Sequence, residues 1–573
     1  MKIQKVLFAI FVGVGSVFVA LSVYGERVDL FTLFIYLVSI FFSLFIFDIN
    51  FFTDLFKKLR IPSHKDLLPL LVVVIAQLIL LVYFSSFPFH YIQDEFITAH
   101  VAFNLPPLEK INWFAAFPDK NEWVVQFPVI FYAMHKFVLM LLGPSLQSLR
   151  VAVWPYQILV IIYLYLLSKE YFQKRLFQII TVLIFIFLAP NIYLSSLGVP
   201  FVSSTFFFLA SFYHFSRMLK ENEVKQSLAS GFFAALGYLT YQSSYITIPI
   251  LLMFLGIDLF FKKSLKSLQL LVPFFLMFFV TIAPFLTFAL TKNNFFMQRV
   301  DQVNFFWGSW GNTQQSIQTG ESLLILLKNQ IVRNIQSLYT NGIGGVNDYW
   351  FGKLPLFNAP TLLLLLIGSL ISLYQGIMLK LRIYLYPSII CLIVFFFGMV
   401  LTVPPGAFHR TSLSFPLIAI ILTVPINYLL RANLLNKKMF FLITFTIVAI
   451  FSITNLNSIK MMIKNDESIS QLTDSIYIAS FIERESIKEQ TIFISAFPNY
   501  HLGKELLFRT SNSYKFVTNY LPNIIPLINK SPIILLYPDK NQIKELYNNF
   551  PNGTIIDTVN GVKLKNHIIF IPN

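Results

Sequence analysis

Charge is what this sequence has least of. Only 12% of its 573 residues are Asp, Glu, Lys or Arg, about half of the roughly 25% a soluble domain carries. So few charges cannot cover a chain that is 56% hydrophobic. A water-soluble globule is excluded, and a multi-spanning membrane protein is the class to test. A disordered chain is excluded as well, since disorder needs a low apolar content. Cysteine is nearly absent. The single thiol, Cys391, lies in an apolar run. It rules out an intramolecular disulfide and any multi-cysteine zinc or iron–sulfur site, and it reads as a small buried hydrophobe. Acidic residues are outnumbered 27 to 43, leaving a net charge of +16. In a soluble protein that excess would suggest nucleic acid. In a membrane protein Lys and Arg collect in cytoplasmic loops, so no nucleic-acid partner is expected.

What is plentiful is long apolar runs. Thirteen are read near 7–24, 29–50, 67–86, 147–167, 176–194, 199–216, 227–245, 246–261, 268–290, 359–378, 383–402, 411–430 and 440–456. Each is about long enough to cross a bilayer. The tight pair around Ser244 also allows a re-entrant hairpin. The first run follows basic Met1–Lys5 but is too long for a signal core and lacks a cleavage site, so it reads as a retained span. Basic clusters fall in alternate loops: Lys2 and Lys5, Lys57–Lys65, Lys169–Arg175, Arg217–Lys225, Lys262–Lys266, Lys380 and Arg382, and Arg431–Lys438. That phase places the N-terminus in the cytoplasm, and an odd span number places the C-terminus outside. The parity depends on VIFYAMHKFVLMLL at 129–142. As a helix it reaches only about 21 Å against a core of roughly 30 Å. It is expected to lie along the outer interface.

Three segments are then large and external: 87–146, 291–358 and the tail. The tail has more charge and β-rich runs at 491–495, 532–537, 553–557 and 567–571, with an amphipathic helix at 539–550. These predict a small α/β domain without a phosphate loop, metal-ligand spacing or nucleophile motif. The expected fold is an all-α polytopic membrane protein with a small C-terminal extracytoplasmic α/β domain. The expected division is 1–66 (two additional N-terminal spans), 67–457 (catalytic membrane module) and 458–573 (the α/β domain).

Asp94 and Glu95 are the sharpest chemical feature, in FHYIQDEFITAH just after the third span. A carboxylate at mid-bilayer costs about 2.5–3.5 kcal/mol, so the pair faces water, a cavity or a partner. On a helix they diverge by about 100°; one can act as a base while the other orients a side chain or ion. The plainer reading is a solvated loop pair. His90 and His100 flank them, and the four residues make a possible divalent-metal site, although the spacing is no known ligand pattern. Downstream, Pro128 opens the aromatic 129–142 helix, Gly143 follows, and Arg150 begins a span. GFFAALGYLTYQSSYITIPILL occupies 231–252, the 291–358 loop holds Arg299, Asn334 and Pro355, and PPGAFHRTSLSFPLIAIIL places His409 and Arg410 ahead of a late span. FFWGSWGN, with Trp307 and Trp310, either stacks on a sugar ring or sits in the membrane.

This order of features, over roughly 67–430, resembles the polyprenyl-phosphate-dependent glycosyltransferases of the GT-C fold, in the protein O-mannosyltransferase and aminoarabinose-transferase superfamily. The resemblance leaves the first two spans and the tail unexplained. It implies a lipid-phosphate sugar donor entering from the bilayer and transfer to a hydroxyl of a protein, lipid or glycan. It also implies catalysis by Asp94 as general base with Glu95 in support, and inversion at the anomeric carbon. Arg150 and Arg410 become candidates for the donor phosphate, the alternative for each being interfacial anchoring. Relatives often carry Lys just before the Pro-aromatic helix; here that position is Gln126, and Lys136 or His135 are candidate substitutes. Gln126, Tyr132, Tyr238, Tyr241, Gln242, His90, His100 and His409 are assigned to the substrate cavity, against packing or an aromatic belt. A bacterial plasma membrane, and cell-envelope or protein glycosylation, is the implied setting. A transporter or flippase of lipid-linked glycans is the main alternative, although mid-membrane charges and a half-repeat, which it would predict, are not evident. A ligase or polymerase acting on lipid-linked glycans would place its active loop late in the chain. A receptor or scaffold would leave Asp94 dispensable.

Overall fold

The apolar runs fold as helices. A computed structural model describes residues 2–47, 64–85, 93–107, 110–115, 128–143, 145–262, 266–291, 295–340, 354–379, 382–431, 436–465, 492–495, 514–517, 533–536, 540–559, 561–564 and 567–572, with residues 474, 477–478, 481–482 and 484. Among the described residues eight helices are long and apolar enough to cross a membrane: Gln4–Tyr24, Leu67–Ser85, Leu146–Tyr171, Gln242–Phe260, Leu271–Thr291, Ala359–Ile377, Phe408–Leu430 and Lys438–Lys464. A ninth arises if Arg175–Phe187 and Ala189–Ser195, bent by 65° at their junction, form one span. The other expected crossings fall on helices that are short or polar. Leu30–Ile46 and Leu385–Val400 are short and apolar. Val224–Tyr238 has 15 residues, and Phe201–Glu221 buries Ser203, Ser204, Thr205, Ser211 and His214. By length and composition the structure therefore supports a multi-pass protein with eight or nine clear spans, where the sequence predicted thirteen. Val129–Leu142 forms a helix of 14 residues, too short to cross unaided. At Ser244 the chain leaves Val224–Tyr238 through a tight turn and a 3₁₀ segment, Gln242–Ile246.

Cα proximity divides the chain into two compact units. The first comprises 1–84, 106–133 and 153–462. Its interior is a bundle in which Phe201–Glu221 packs on Val224–Tyr238, which packs on Leu271–Thr291. Gly231 permits that last approach, since a Cβ there would overlap the Phe274 carbonyl. The N-terminal helices, Lys2–Tyr24 and Leu30–Phe47, pair with each other and lie on Leu271–Thr291. Tyr36 Oη donates to the Thr281 carbonyl at 2.7 Å. Other polar stitches between distant segments are Tyr384 Oη to the Tyr171 carbonyl at 2.8 Å and Ala189 N to Asn455 Oδ1 at 3.0 Å. In an apolar bundle each such bond adds about 0.6 kcal/mol on average, so they serve helix register more than stability.

The second unit comprises 85–105, 134–152 and 463–573. Its tail carries a five-stranded sheet in the order β2-β1-β3-β7-β4. The strands are β1 (Ile492–Ser495), β2 (Tyr514–Val517), β3 (Ile533–Leu536), β4 (Thr554–Ile556) and β7 (His567–Ile571). A separate small hairpin joins β5 (Thr558–Val559) and β6 (Val562–Lys563). β1 pairs in parallel with β2 and β3, while β7 runs antiparallel to β3 and β4. The helix Lys540–Asn549 connects β3 to β4. Ile478, Ile482, Ile534 and Ile569 form the buried core. The α/β tail read from the sequence is therefore present.

Candidate active site

The acidic pair opens the helix Gln93–Asn104, with both carboxylates in its first turn, where the helix dipole favours negative charge. The two side chains separate as helical geometry requires. Asp94 is half-buried, whereas Glu95 is 1% exposed. Glu95 meets Arg150, itself 1% exposed, in a two-pronged pair. Arg150 Nε donates to Glu95 Oε1 at 2.9 Å and Nη2 donates to Oε2 at 2.8 Å. The remaining arm, Nη1, donates to the Ser85 carbonyl at 3.1 Å. Arg150 is carried by the short helix Leu146–Val151, capped by Ser145 Oγ accepting from Ser148 N. Ala99, Ala102, Leu139 and Leu149 pack into one cluster, fixing the spacing of the segments that carry the pair. Two parallel charge-assisted bonds in a desolvated setting demand close geometry. Lys136 Nζ donates to the Leu105 carbonyl at 2.6 Å. Desolvation holds its ammonium pKa below the usual lysine value, and its contact here is a backbone oxygen just past the helix Gln93–Asn104. His135, next to Lys136 on the helix Val129–Leu142, is buried.

In the first unit, a cavity of about 370 Å³ gathers three separated stretches of chain: 241–246, 299–307 and 397–410. Most of its wall is apolar, supplied by residues such as Val300, Val303, Phe306 and Leu401. Into this wall the fold sets Arg299 and Arg410, only 9% and 5% exposed, with Tyr241 and Gln242 beside them. Among the described residues no acidic side chain lines it. Arg299 Nη1 donates to Gln302 Oε1 at 3.1 Å, and its guanidinium lies 3.9 Å from the Trp310 ring centroid. Arg410 Nη1 donates to the Val403 carbonyl at 2.9 Å. The turn behind Arg410, which contains the cis Val403–Pro404 bond and Gly406 at φ 81°, is held by the helix Leu323–Tyr339. Buried Asn334 accepts from Gly406 N at 2.7 Å and donates to the Met399 carbonyl at 3.1 Å. Gln330 Nε2 donates to the Thr402 carbonyl at 2.7 Å.

Of the sequence-derived candidates, Tyr241, Gln242 and Arg410 come together in this cavity. His409 is buried beside it, tilted against Phe201 at 5.0 Å and Tyr241 at 6.4 Å between ring centroids. Tyr238 stands behind the wall, stacked on the lining residue Tyr245 at 4.8 Å and bonded to its carbonyl. Tyr132 is fully buried and packs edge-on against Phe131. Arg150 is engaged with Glu95 in the second unit and does not line the cavity that holds Arg410. His90 and Gln126 lie outside the described residues, as does the side chain of His100, so the metal reading at Asp94 falls partly there. Among the described residues no three His, Cys, Asp or Glu side chains come together. Arg299, in the sequence a notable residue of the 291–358 loop without an assigned role, is the second cation of this cavity. Its signal was its place in a loop whose next notable residues are the two tryptophans.

This fold defines a class: a multi-pass membrane protein of the GT-C type. Two crystal structures of ArnT from Cupriavidus metallidurans carry that assignment. The apo state matches with a TM-score of 0.54 at 12% identity, covering 87% of this chain and 97% of that one. The form bound to undecaprenyl phosphate matches with a TM-score of 0.55 at 11% identity over the same shares. At such identity the likeness is one of fold. An independent sequence finding points the same way, since residues 126–288 match the dolichyl-phosphate-mannose-protein mannosyltransferase family. No curated protein sequence matches the chain. The resemblance to GT-C polyprenyl-phosphate-sugar glycosyltransferases thus rests on both a family match and a fold match.

Proposed function

We infer that the protein is a membrane glycosyltransferase that moves a sugar from a polyprenyl-phosphate donor to an acceptor hydroxyl at the outer face of the membrane. The observation that carries the reading is the cavity with Arg299 and Arg410 set in an apolar wall. A guanidinium offers a planar fork of donors to phosphate oxygens, and an apolar wall suits a hydrocarbon chain. A ligand that combines an anionic head with a hydrocarbon chain satisfies both features, and a polyprenyl phosphate is such a ligand. The likeness to a protein crystallised with undecaprenyl phosphate supports the same choice.

In the proposed reaction the acceptor O–H gives its proton to the Asp94 carboxylate as the oxygen attacks the anomeric carbon. The bond from that carbon to the phosphate oxygen breaks, and its electron pair leaves with the lipid phosphate. Inversion follows from a single displacement. Phosphate is a good leaving group, so the protein's work is deprotonation, positioning and stabilisation of the departing charge. Arg299 and Arg410 serve the phosphate. Arg150 takes a positioning role, because its fork already holds Glu95, and Glu95 in turn fixes the turn that presents Asp94. The N-terminus is placed in the cytoplasm, the tail outside, and the setting is a bacterial plasma membrane. The acceptor is a hydroxyl of a protein, lipid or glycan.

The test is sugar transfer by the purified protein in nanodiscs, supplied with a panel of polyprenyl-phosphate sugars and with its own membrane extract as acceptor. Release of polyprenyl phosphate should require acceptor and collapse at least a hundredfold in Asp94→Asn while donor binding persists. Turnover unchanged in Asp94→Asn and Asp94→Ala removes the base. Transport of an intact lipid-linked glycan without cleavage would replace the reading with a flippase.

A further inference from the structure

A second hollow adjoins the arginine cavity and differs from it in chemistry. It has a volume of about 460 Å³, and Phe306 and Trp307 belong to the walls of both. Phe305 adds a third ring, and the remaining side chains of the lining are polar and uncharged: Ser309, Thr313, Gln314, Gln315 and Gln318. No Lys, Arg, Asp or Glu appears among the described residues of the wall. Planar amides and hydroxyls beside an aromatic face suit a ring bearing many hydroxyl groups: the aromatic face takes its C–H surface, and the amides donate to and accept from its O–H groups. They suit neither an anion, which wants cations, nor a lipid chain, which gains nothing from glutamine.

The platform is built rather than incidental. The turn that carries Trp307 is knotted by Gly308 N to the Asn304 carbonyl at 2.7 Å, Ser309 N to the Asp301 carbonyl at 3.1 Å and Trp310 N to the Gln302 carbonyl at 3.0 Å. Trp307 Nε1 donates to Asp301 Oδ1 at 3.3 Å. Gly308 is required, because a Cβ there would overlap the Asn304 and Gln302 carbonyls. The same knot sets Trp310 on Arg299. Trp307 nonetheless stays 51% exposed, and Gln314 and Gln318, four residues apart on the helix Thr313–Gln318, share one face.

We propose that this groove is a binding site for an uncharged sugar ring, stacked on Trp307 and held by the glutamine amides, next to the site of the lipid phosphate. The inference rests on the glycosyltransferase reading. Such a ring has two sources, the sugar carried by the donor and a sugar unit of a glycan acceptor, and both present the same hydroxyl chemistry.

The experiment uses the full chain in nanodiscs. Saturation-transfer NMR measures binding of methyl α-mannoside, methyl α-glucoside and their disaccharides, and a separate titration measures undecaprenyl phosphate. At least one saccharide should bind the wild type, and the Gln314→Ala/Gln318→Ala double variant should weaken it at least tenfold. Trp307→Ala should do the same, and Trp307→Phe should restore most of it. Undecaprenyl phosphate should bind the glutamine variant within twofold of wild type. A saccharide that binds equally with undecaprenyl phosphate present supports the acceptor source. One that binds only after undecaprenyl phosphate is added supports the donor source. Saccharide binding absent in the wild type, or unmoved by all three variants, overturns the site, while undecaprenyl phosphate that still binds leaves the enzyme reading standing. A membrane-seated groove is the rival. Cys391 is the only cysteine, so Cys391→Ser with Gln314→Cys gives one nitroxide label. Collision with a water-soluble nickel chelate above that with oxygen supports the proposal; the reverse refutes it.

Discussion

Replacing Arg150 with Met tests whether the acidic pair is held by a desolvated fork. Both partners are at most 2% exposed at the side chain, with 2.8 Å between Nη2 and Oε2, and the Ser85 carbonyl takes the third arm. Removing one partner of such a pair strands a buried charge and costs about 3–5 kcal/mol. An exposed pair would be worth about 0–1 kcal/mol. The two cases are therefore several kcal/mol apart, well beyond the error of an unfolding titration. Arg150→Met and Glu95→Gln should each lose about 3–5 kcal/mol, and the double variant should lose clearly less than their sum, because its second substitution removes the stranded charge. Arg150→Lys should rescue little, since an ammonium cannot make two parallel bonds to a carboxylate. The assay is SDS-induced unfolding in mixed micelles, followed by circular dichroism. Single variants within about 1 kcal/mol of wild type, or strict additivity in the double, would refute the reasoning.

Three further outcomes are expected. Asn334→Ala should destabilise by about 2–3 kcal/mol, because the buried Gly406 N–H loses its acceptor, and should weaken binding of undecaprenyl phosphate; an unchanged affinity would detach the turn from Arg410. Trp310→Ala removes the ring over Arg299 and should cost roughly 0.5–2 kcal/mol of stability or lipid-phosphate affinity, read by thermal shift and titration; no change in either would leave the stack without consequence. A reporter fused to the C-terminus should report an extracytoplasmic location, and a cytoplasmic signal would contradict the proposed topology of cytoplasmic N-terminus and external tail.

The fold was legible where the signal is local. Apolar runs mark helices because a bilayer admits little else, and among the described residues every run coincides with one or two helical segments. The tail strands at 492–495, 533–536, 554–556 and 567–571 were legible from short β-rich runs. β2, with only YKFV to announce it, and the two-residue β5 and β6 were not. The segment 291–358 has no long apolar run and reads as an external loop, yet it holds Phe295–Val303, Thr313–Gln318 and Leu323–Tyr339. Those helices are short or amphipathic and lack the uniform apolar stretch that a span search detects. The site was legible by residue type but not by grouping. Glu95 and Arg150 were both singled out, but for different tasks, because 55 residues separate them and no periodicity encodes their meeting. Arg299 joins Arg410 only through tertiary folding of three distant stretches. Asn334 was visible as a residue of that loop, whereas its role in holding the 399–406 turn required the hydrogen bonds themselves.

The central claim concerns the two arginines, so the most direct measurement is the affinity of the nanodisc-embedded protein for undecaprenyl phosphate in wild type, Arg299→Ala, Arg410→Ala and the double variant. A charge-assisted bond to phosphate is worth about 1.5–3 kcal/mol. Each single variant should therefore bind about 10- to 150-fold more weakly, and the double variant should show no saturable binding. Wild-type affinity in the double variant would contradict the account.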